Sequence, residues 1–265
     1  MTAYETIAGG VTTVPGVPTA IVMAAGDTLG VRNFPDASAG WLENITLHGA
    51  VQANVRAARV RSPRMHDNVT GLTFTPGELL SAYGFPAQVR QRLYAADTLI
   101  AEITGGTAGE VQELALHVYY DQLPASNADL RNWGDVGPNV ISYKSFEVVC
   151  NASAAGAWSD TLVTTTDNQL HARSAYAVLG YDTNTAFTAV ALKGLATGNL
   201  RAGGPGAATE FPTSEWFVRQ SDKHGTPHIP VFQANDRFAT FVSAISRVAV
   251  AGTERITLIC AELPS

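Results

Sequence analysis

Residues 95–124 read AADTLIAEITGGTAGEVQELALHVYYDQLP, and residues 234–264 read ANDRFATFVSAISRVAVAGTERITLICAELP. The two stretches align with a single one-residue gap, which places Asp97 on Asp236 and Leu123-Pro124 on Leu263-Pro264. Self-similarity at a long, fixed offset indicates that one structural unit is repeated along a chain. The sequence therefore predicts a duplicated unit, with an offset of roughly 140 residues between the copies.

Each stretch contains two runs of alternating apolar residues around a glycine-containing turn, which is typical of a β-hairpin with one buried face. The turn of the first copy, TGGTAGE at Thr104–Glu110, resembles a phosphate-binding loop. Phosphate loops open a helix, however, whereas this one separates two strands. We therefore predict that it only reverses the chain. The apolar faces comprise Leu114, Leu116, Val118 and Tyr120 in the first copy, and Ile256, Leu258 and Cys260 in the second.

Weaker similarity continues upstream of the hairpins. A proline followed closely by an acidic residue begins PGELLSAYG at Pro76 and PTSEWFVRQSDKHG at Pro212. Both signals favour the first turn of a helix, because proline lacks an N–H that would be unpaired there and the carboxylate meets the positive end of the helix dipole. Residues 41–60, WLENITLHGAVQANVRAARV, also resemble residues 175–194, AYAVLGYDTNTAFTAVALKG. The repeat thus extends over most of the chain.

Each half offers short strands in a matching order, with one short helix before its final hairpin. This order predicts an all-β fold of two tandem eight-stranded jelly rolls, in which each sandwich closes on itself and leaves few exposed edges. Pro, Gly, Asn and Asp are concentrated in PASNADLRNWGDVGP, so we expect the join there. The predicted divisions are an N-terminal arm at residues 1–17, a first jelly roll at 18–124, a linker at 125–138 and a second jelly roll at 139–265.

The composition limits the class of function. Charged residues make up 15% of the chain and the net charge is −6, with Lys and Arg scattered singly. Such a surface predicts oligomerisation and argues against direct nucleic-acid binding. The first residues lack the basic and apolar regions of a secretion signal, and no apolar stretch has the length of a membrane helix, so we expect a soluble protein made in a cytoplasm. Cys150 and Cys260 each end an apolar run, which predicts buried thiols.

The duplicated strand order, the helices led by Pro76 and Pro212, and the matched terminal hairpins together resemble the double jelly-roll viral major capsid proteins of the lineage that includes PRD1-like phages and adenoviruses. The resemblance implies a homotrimer whose six jelly rolls make a pseudo-hexameric capsomer of an icosahedral virion, assembled in the host cytoplasm. The implied partners are further copies of the chain in the trimer and in neighbouring capsomers, and other capsid or vertex proteins. An internal membrane is left open as a partner.

No motif of a catalytic or metal site is apparent. His224 and His228 in KHGTPHIP are four residues apart, but Gly225 and Pro227 prevent the helix that would bring both imidazoles to one metal, so we predict an exposed turn. We expect Arg201–Gly206, RAGGPG, to be a flexible loop, because no helix follows its glycines. The other histidines are isolated, which is typical of surface or hydrogen-bonded core residues. These are His48, His66, His117 and His171.

We therefore expect a non-enzymatic protein with no catalytic, cofactor-binding or metal-ligating residue and no cofactor. Trp216 lies beside Phe217 and is better explained as a core or interface anchor than as a platform for sugars or bases. Two alternatives remain open. One is a tandem jelly-roll carbohydrate-binding or surface-fibre module. The other is a bicupin-type metalloenzyme, although neither half contains the H-x-H pair of cupins.

Overall fold

The computed structural model places two sandwiches one after the other along the chain. It describes residues 1–23, 29–49, 55–65, 69, 71–74, 83–84, 90–124, 128–150, 154–163, 170–183, 187–206, 212–246 and 254–264. Within these residues, two sheets belong to the first half of the chain and two to the second. Each half has its own cluster of buried apolar side chains between its two sheets.

The first sandwich consists of two antiparallel sheets. In one sheet the order is β3-β1-β10-β4, and β4 also pairs with β7 and β8; in the other sheet the order is β2-β9-β5-β6. The strands are β1 (Ala3–Thr12), β2 (Thr19–Ala20), β3 (Val22–Met23), β4 (Gly40–Gly49), β5 (Val55–Arg61), β6 (Leu72–Phe74), β7 (Tyr83–Gly84), β8 (Gln91–Leu93), β9 (Ile100–Gly105) and β10 (Val111–Tyr120).

The second sandwich repeats this arrangement. Its sheets have the orders β11-β17-β14-β19-β12 and β13-β18-β15-β16. Its strands and helices are β11 (Leu130–Arg131), α1 (Trp133–Val136), β12 (Ser142–Val149), β13 (Ser159–Leu162), β14 (Ser174–Thr183), β15 (Ala189–Lys193), β16 (Ala202–Pro205), α2 (Trp216–His224), β17 (Ile229–Gln233), β18 (Phe241–Ile245) and β19 (Arg255–Pro264), with 3-10 turns at Gly137–Asn139, Leu195–Thr197, Thr213–Glu215 and Ala234–Ala239.

The two strand orders correspond over eight strand positions. Strands β1-β10-β4 with β7 and β8 match β12-β19-β14-β17, and strands β2-β9-β5-β6 match β13-β18-β15-β16. Eight strand positions arranged in this way form a jelly roll, so the predicted fold class of two tandem jelly rolls is confirmed. The hairpins read from the sequence are β9–β10 and β18–β19, and the weaker upstream match corresponds to β4–β5 and β14–β15.

A β-bulge occurs between the corresponding pair of strands in both sandwiches. Between β10 and β4 the register shifts after His117, so that Glu43 has no opposite residue. Between β19 and β14 the register shifts in the same way, and Leu179 has no opposite residue. A bulge adds one residue to one strand and redirects its side chain. Each sandwich therefore has one side chain that a bulge redirects.

The short helix of the second sandwich follows the predicted signals. After Pro212 the chain makes a 3-10 turn and continues as α2, which ends at His224 where Gly225 adopts a left-handed conformation with φ 64°. Strand β17 lies between this helix and the final hairpin, one strand more than the sequence predicted. The helix expected after Pro76 lies outside the described residues. The TGGTAGE segment is a hairpin turn between β9 and β10, as predicted, with Gly109 at φ 78°.

Three segments differ from the predictions. The expected N-terminal arm, residues 1–17, instead contributes β1, which lies inside a sheet between β3 and β10. The expected flexible loop at Arg201–Gly206 contains β16, a buried strand. The expected linker, residues 125–138, contains the short strand β11, which pairs with β17, and helix α1. In all three cases tertiary contacts override a glycine- or proline-rich local composition.

Candidate functional site

The most elaborate group of buried polar residues lies where the two jelly rolls meet. Strand β1 alternates between two cores: Ala3 and Ile7 pack inside the first sandwich, whereas Tyr4 packs with the core residues of the second. Ala8 packs with Ala189 of β15 and with Ile245 of β18. One sheet of the first jelly roll therefore presents its outer face to strands and to helix α2 of the second. We call this contact the internal interface.

The backbone of β16 is bound directly to β1 at this interface. The Thr6 N–H donates to the Arg201 carbonyl at 2.6 Å, and the Thr6 hydroxyl donates to the Gly203 carbonyl at 3.0 Å. The Gly203 N–H in turn donates to the Thr6 hydroxyl oxygen at 3.1 Å. A Cβ at Gly204 would lie 2.3 Å from the Trp216 ring, so the glycine allows that ring to pack against the strand. The RAGGPG sequence thus serves close packing between the two sandwiches.

His117 extends this contact from strand β10. Its Nδ1 lies 3.1 Å from the Gly203 carbonyl oxygen and its Nε2 lies 3.2 Å from the Thr46 hydroxyl. A neutral ring with the proton on Nδ1 satisfies both, because Nδ1–H then donates to the carbonyl and Nε2 accepts from the hydroxyl. Burial lowers the pKa of His117 to about 4, against the opposing effect of the Gly203 carbonyl. His117 is the hydrogen-bonded core histidine that the sequence predicted.

The bulge in β4 directs Glu43 into an ion pair across the interface. Oε2 of Glu43 lies 2.6 Å from Nε2 of His228, and both side chains have no exposed surface. The other carboxylate oxygen accepts a hydrogen bond from Arg90 Nη1 at 2.8 Å. On its far side, His228 Nδ1 lies 2.9 Å from the Thr226 carbonyl oxygen. Each polar atom of this pair thus has a partner, as buried charges require.

The neighbours of Glu43 set the pKa of its carboxyl group. Burial alone would raise the pKa of Glu43, but the charge and hydrogen bond of His228, together with Arg90, outweigh burial and lower that pKa. Glu43 is therefore a carboxylate. Nε2 of His228 lies against this carboxylate, and Nδ1 lies 2.9 Å from the Thr226 carbonyl oxygen and 3.4 Å from the Thr226 hydroxyl oxygen. The structure thus contains a fully buried histidine–carboxylate contact between the two sandwiches.

Two further polar contacts cross the same interface. Asn44 Nδ2 donates to the Gln220 side-chain oxygen at 2.8 Å, which joins β4 to helix α2. The Thr188 hydroxyl donates to the Glu113 carboxylate and joins the second sandwich to β10. Trp216 of helix α2 is buried, and its indole N–H donates to the Gly203 carbonyl at 3.1 Å. Trp216 is therefore an interface anchor, as the sequence predicted.

The histidines of KHGTPHIP are placed differently from the prediction. His224 ends helix α2 and His228 precedes β17, and both are buried, so the expected exposed turn is wrong. Their rings lie 5.8 Å apart. Burial lowers the pKa of His224 to about 4, and neither of its ring nitrogens has a hydrogen-bond partner among the described residues. Among all the residues that the structure describes, no group of three His, Cys, Asp or Glu side chains is arranged to hold a metal ion.

The remaining candidates lie apart from this interface. Cys150 and Cys260 are free, buried thiols, as predicted. His171 is exposed and bonds the Glu262 carboxylate, whose pKa falls to about 2 because hydrogen bonds from two serines and from His171 outweigh the effect of its burial. His66 and the side chain of His48 lie outside the described part of the chain. Among the described residues, neither helix is long and apolar enough to cross a membrane.

Comparisons with known proteins find similarity in structure but none in sequence. No protein-family model matches the chain, and no curated protein sequence matches it. Among solved structures, the chain is similar to the major capsid protein P2 from bacteriophage PM2. The alignment covers 100% of this chain and 98% of that chain, with 10% sequence identity and a TM-score of 0.29.

Proposed function

We propose that this protein is a structural major capsid protein, and that three copies form a pseudo-hexameric capsomer of an icosahedral virus shell. The proposal places the protein in the virion, assembled in the host cytoplasm, without an enzymatic role. Its partners would be other copies of itself and other capsid or vertex proteins. An internal membrane remains open as a further partner.

One observation carries the proposal: two jelly rolls of the same strand order are held side by side in one chain by a buried polar interface. A buried hydrogen-bonded interface has discrete, well-defined contacts, so the two sandwiches behave as one rigid block. Three such blocks offer six similar sandwiches around an axis. Closed rings of this kind use head-to-tail contacts, which suit a chain whose two halves are alike but not identical.

The two alternative functions are a bicupin-type metalloenzyme and a carbohydrate-binding module, and each depends on a structural feature that can be compared with the described residues. A bicupin needs a cluster of metal ligands in each sandwich, and no such cluster occurs in the part of the chain that the structure describes. A carbohydrate-binding module acts through an exposed binding face on each sandwich. Here the outer face of the first sheet is instead occupied by the second jelly roll.

The experiment is to purify the full chain, measure its molar mass by light scattering, and image it by electron microscopy as its concentration is raised. The expected result is a species of three 27.9 kDa chains that associates further into closed particles. A chain that stays monomeric at all concentrations and binds glycans on an array would refute the proposal in favour of the carbohydrate-binding module. Stoichiometric zinc, iron or manganese in the purified protein would refute it in favour of the metalloenzyme.

A further inference from the structure

The face of helix α2 that meets the first jelly roll carries three side chains spaced four residues apart. The Trp216 ring lies 5.6 Å from the His117 ring of β10, and the Gln220 side-chain oxygen accepts the hydrogen bond from Asn44 of β4. His224 follows one turn later and is buried on the same face. The third side chain that this helix brings to the internal interface is therefore an imidazole.

His224 is buried without a polar contact. Only 9% of its surface is exposed, and neither ring nitrogen has a hydrogen-bond partner among the described residues. A buried polar group without a partner costs free energy that contact with water returns. The other two histidines of the interface, His117 and His228, both have partners. His224 therefore favours a state in which the interface is open and its ring is hydrated.

The charged and titratable groups around His224 do not compensate a proton on its ring. They are Glu43 of β4, Arg90 just before β8, Lys223 on the same helix and His228 just before β17. Glu43 is the acid among these four, and its two oxygens already contact His228 and Arg90. Burial, together with the charges of His228, Lys223 and Arg90, outweighs the attraction of Glu43 and lowers the pKa of His224 to about 4.

His117 is a second histidine of this kind in the same interface. Its ring has no exposed surface and packs with the rings of Tyr4 and Trp216. Burial lowers its pKa to about 4, against the opposing effects of the Gly203 carbonyl and of the Glu43 charge. Both histidines are therefore neutral at neutral pH while the jelly rolls are in contact, and each binds a proton more readily once water reaches it.

The contacts of these two rings lie between the sandwiches. The core of the first jelly roll is a separate cluster of apolar side chains between its own two sheets, and the strand pairings of each jelly roll stay within that jelly roll. Charge on the two imidazoles therefore opposes the contact between the sandwiches more directly than it opposes the folding of either one.

We infer that the internal interface is an acid-released contact, which opens when His224 and His117 take up protons and lets the two jelly rolls separate as folded units. A histidine with a lowered pKa in the closed form stabilises that form above its free pKa of about 6.5 and opposes it as the pH falls towards 4. Between pH 7 and pH 5, each histidine should shift the equilibrium about 20-fold towards the open form. The inference concerns a contact within one chain and does not depend on the proposed capsid function.

The test measures amide hydrogen exchange at single residues of the full-length protein between pH 7 and pH 5, corrected for the intrinsic pH dependence of exchange. The N–H groups of Thr6 and Gly203 report on the interface, because both donate across it. The N–H groups of the β10–β4 and β14–β19 pairings report on the sandwiches. On acidification, protection at Thr6 and Gly203 should fall at least about 20-fold more than protection in the two pairings.

Three variants assign the effect to His224. His224→Phe removes the titrating group without removing a hydrogen bond, so it should keep protection at pH 7 and reduce the acid-induced loss about 20-fold. Lys223→Gln removes a repelling cation from a partly exposed position and should reduce the loss by a smaller factor. The matched control is Asp222→Asn, which removes a titratable group from an exposed position on the same helix and should keep the full loss.

Equal loss of protection at the interface and in the strand pairings would mean that acid unfolds the whole chain, and it would overturn the inference. An acid-induced loss that is unchanged in His224→Phe would also overturn it. A loss confined to the interface, reduced in His224→Phe and Lys223→Gln and kept in Asp222→Asn, supports it. The molar mass of the protein bears only on the capsid proposal, so the two can fail separately.

Discussion

Strands β1 and β12 occupy the same position in two copies of one fold, yet one is buried on both faces and the other on only one. Tyr4 and Thr6 of β1 are buried, whereas Tyr143 of β12 is 64% exposed. Ala8 of β1 is small and buried, whereas Glu147 of β12 is charged and about half exposed. A duplicated fold can thus bury the outer face of one strand within the chain and leave the outer face of its counterpart exposed.

The bulges in β4 and β14 also serve different roles in the two sandwiches. In β14 the redirected residue is Leu179, which packs into an apolar core. In β4 it is Glu43, which forms the ion pair with His228. A bulge is a backbone feature that either sandwich can use, and the side chain placed on it decides whether it supports a core or joins two domains.

We expect the largest effect when a carboxylate like that of Glu147 on the exposed strand β12 is introduced on the buried strand β1. Ala8→Glu places a carboxylate among the apolar side chains of Ala115, Ala189 and Ile245, so we expect the unfolding free energy to fall by more than about 4 kcal/mol or the chain to fail to fold. Chemical denaturation measures the change. Ala20→Glu on the exposed strand β2 is the matched control and should be nearly neutral. Equal stability of the two variants would contradict the burial of β1.

A smaller loss is expected when one partner of the buried ion pair is removed. Glu43→Ala leaves His228 without its carboxylate, which should lower the unfolding free energy by about 3–5 kcal/mol. Replacing both partners by leucine, Glu43→Leu with His228→Leu, should recover more than half of that loss, because apolar residues of similar size often replace a buried pair at little cost. If the double variant is as unstable as Glu43→Ala, the pair does not act as a unit.

The internal interface should also make the chain sensitive to acid. Because the folded-state pKa of His117 is about 4, the unfolded chain binds the proton more readily, and stability present above about pH 6.5 is lost as the pH falls towards 4. The expected loss from His117 is about 2 kcal/mol between pH 6.5 and pH 5. Denaturation curves across this range measure it. His117→Gln should flatten the curve, and an unchanged curve for this variant would contradict the assignment of the acid sensitivity to His117.

We expect the smallest effect at Glu147, on the exposed strand β12. Glu147 pairs with Arg255, and both side chains are about half exposed to solvent. Exposed ion pairs contribute little to folding, so Glu147→Ala should change the unfolding free energy of the dilute chain by less than about 0.5 kcal/mol. Chemical denaturation of Glu147→Ala and Ala8→Glu under the same conditions compares their losses of unfolding free energy. A loss above about 2 kcal/mol would mean that β12 is covered within its own chain.

The regular parts of the fold were accessible from the sequence. Alternating apolar residues around a turn identified both terminal hairpins and the duplication, and Pro212 with Glu215 identified helix α2. Strand β1 was missed because it is buried on both faces and so lacks the alternation of a half-exposed strand. Strand β16 was missed because its glycines are needed for contact with distant Trp216 and Thr6, while local propensity associates glycine with loops.

The ion pair at the internal interface could not be derived from sequence alone. His228 and Glu43 are separated by 185 positions, and no local pattern indicates which of the acidic residues meets the histidine. The KHGTPHIP segment contains two histidines four residues apart, but its composition favours an exposed turn. Burial came from the approach of the first jelly roll, which is a property of the tertiary structure.

The position of β1 also has a consequence for how the chain is made. Thr6 meets His117 across 111 positions and Gly203 across 197 positions. At a synthesis rate of about 5–20 residues per second, β1 leaves the ribosome several seconds before β10 and about ten seconds or more before β16. During that interval Tyr4 lacks the neighbours from the second jelly roll that cover it, such as His228. Strand β1 therefore stays incompletely covered until β16 and helix α2 have been made, and a nascent-chain chaperone would protect it during that wait.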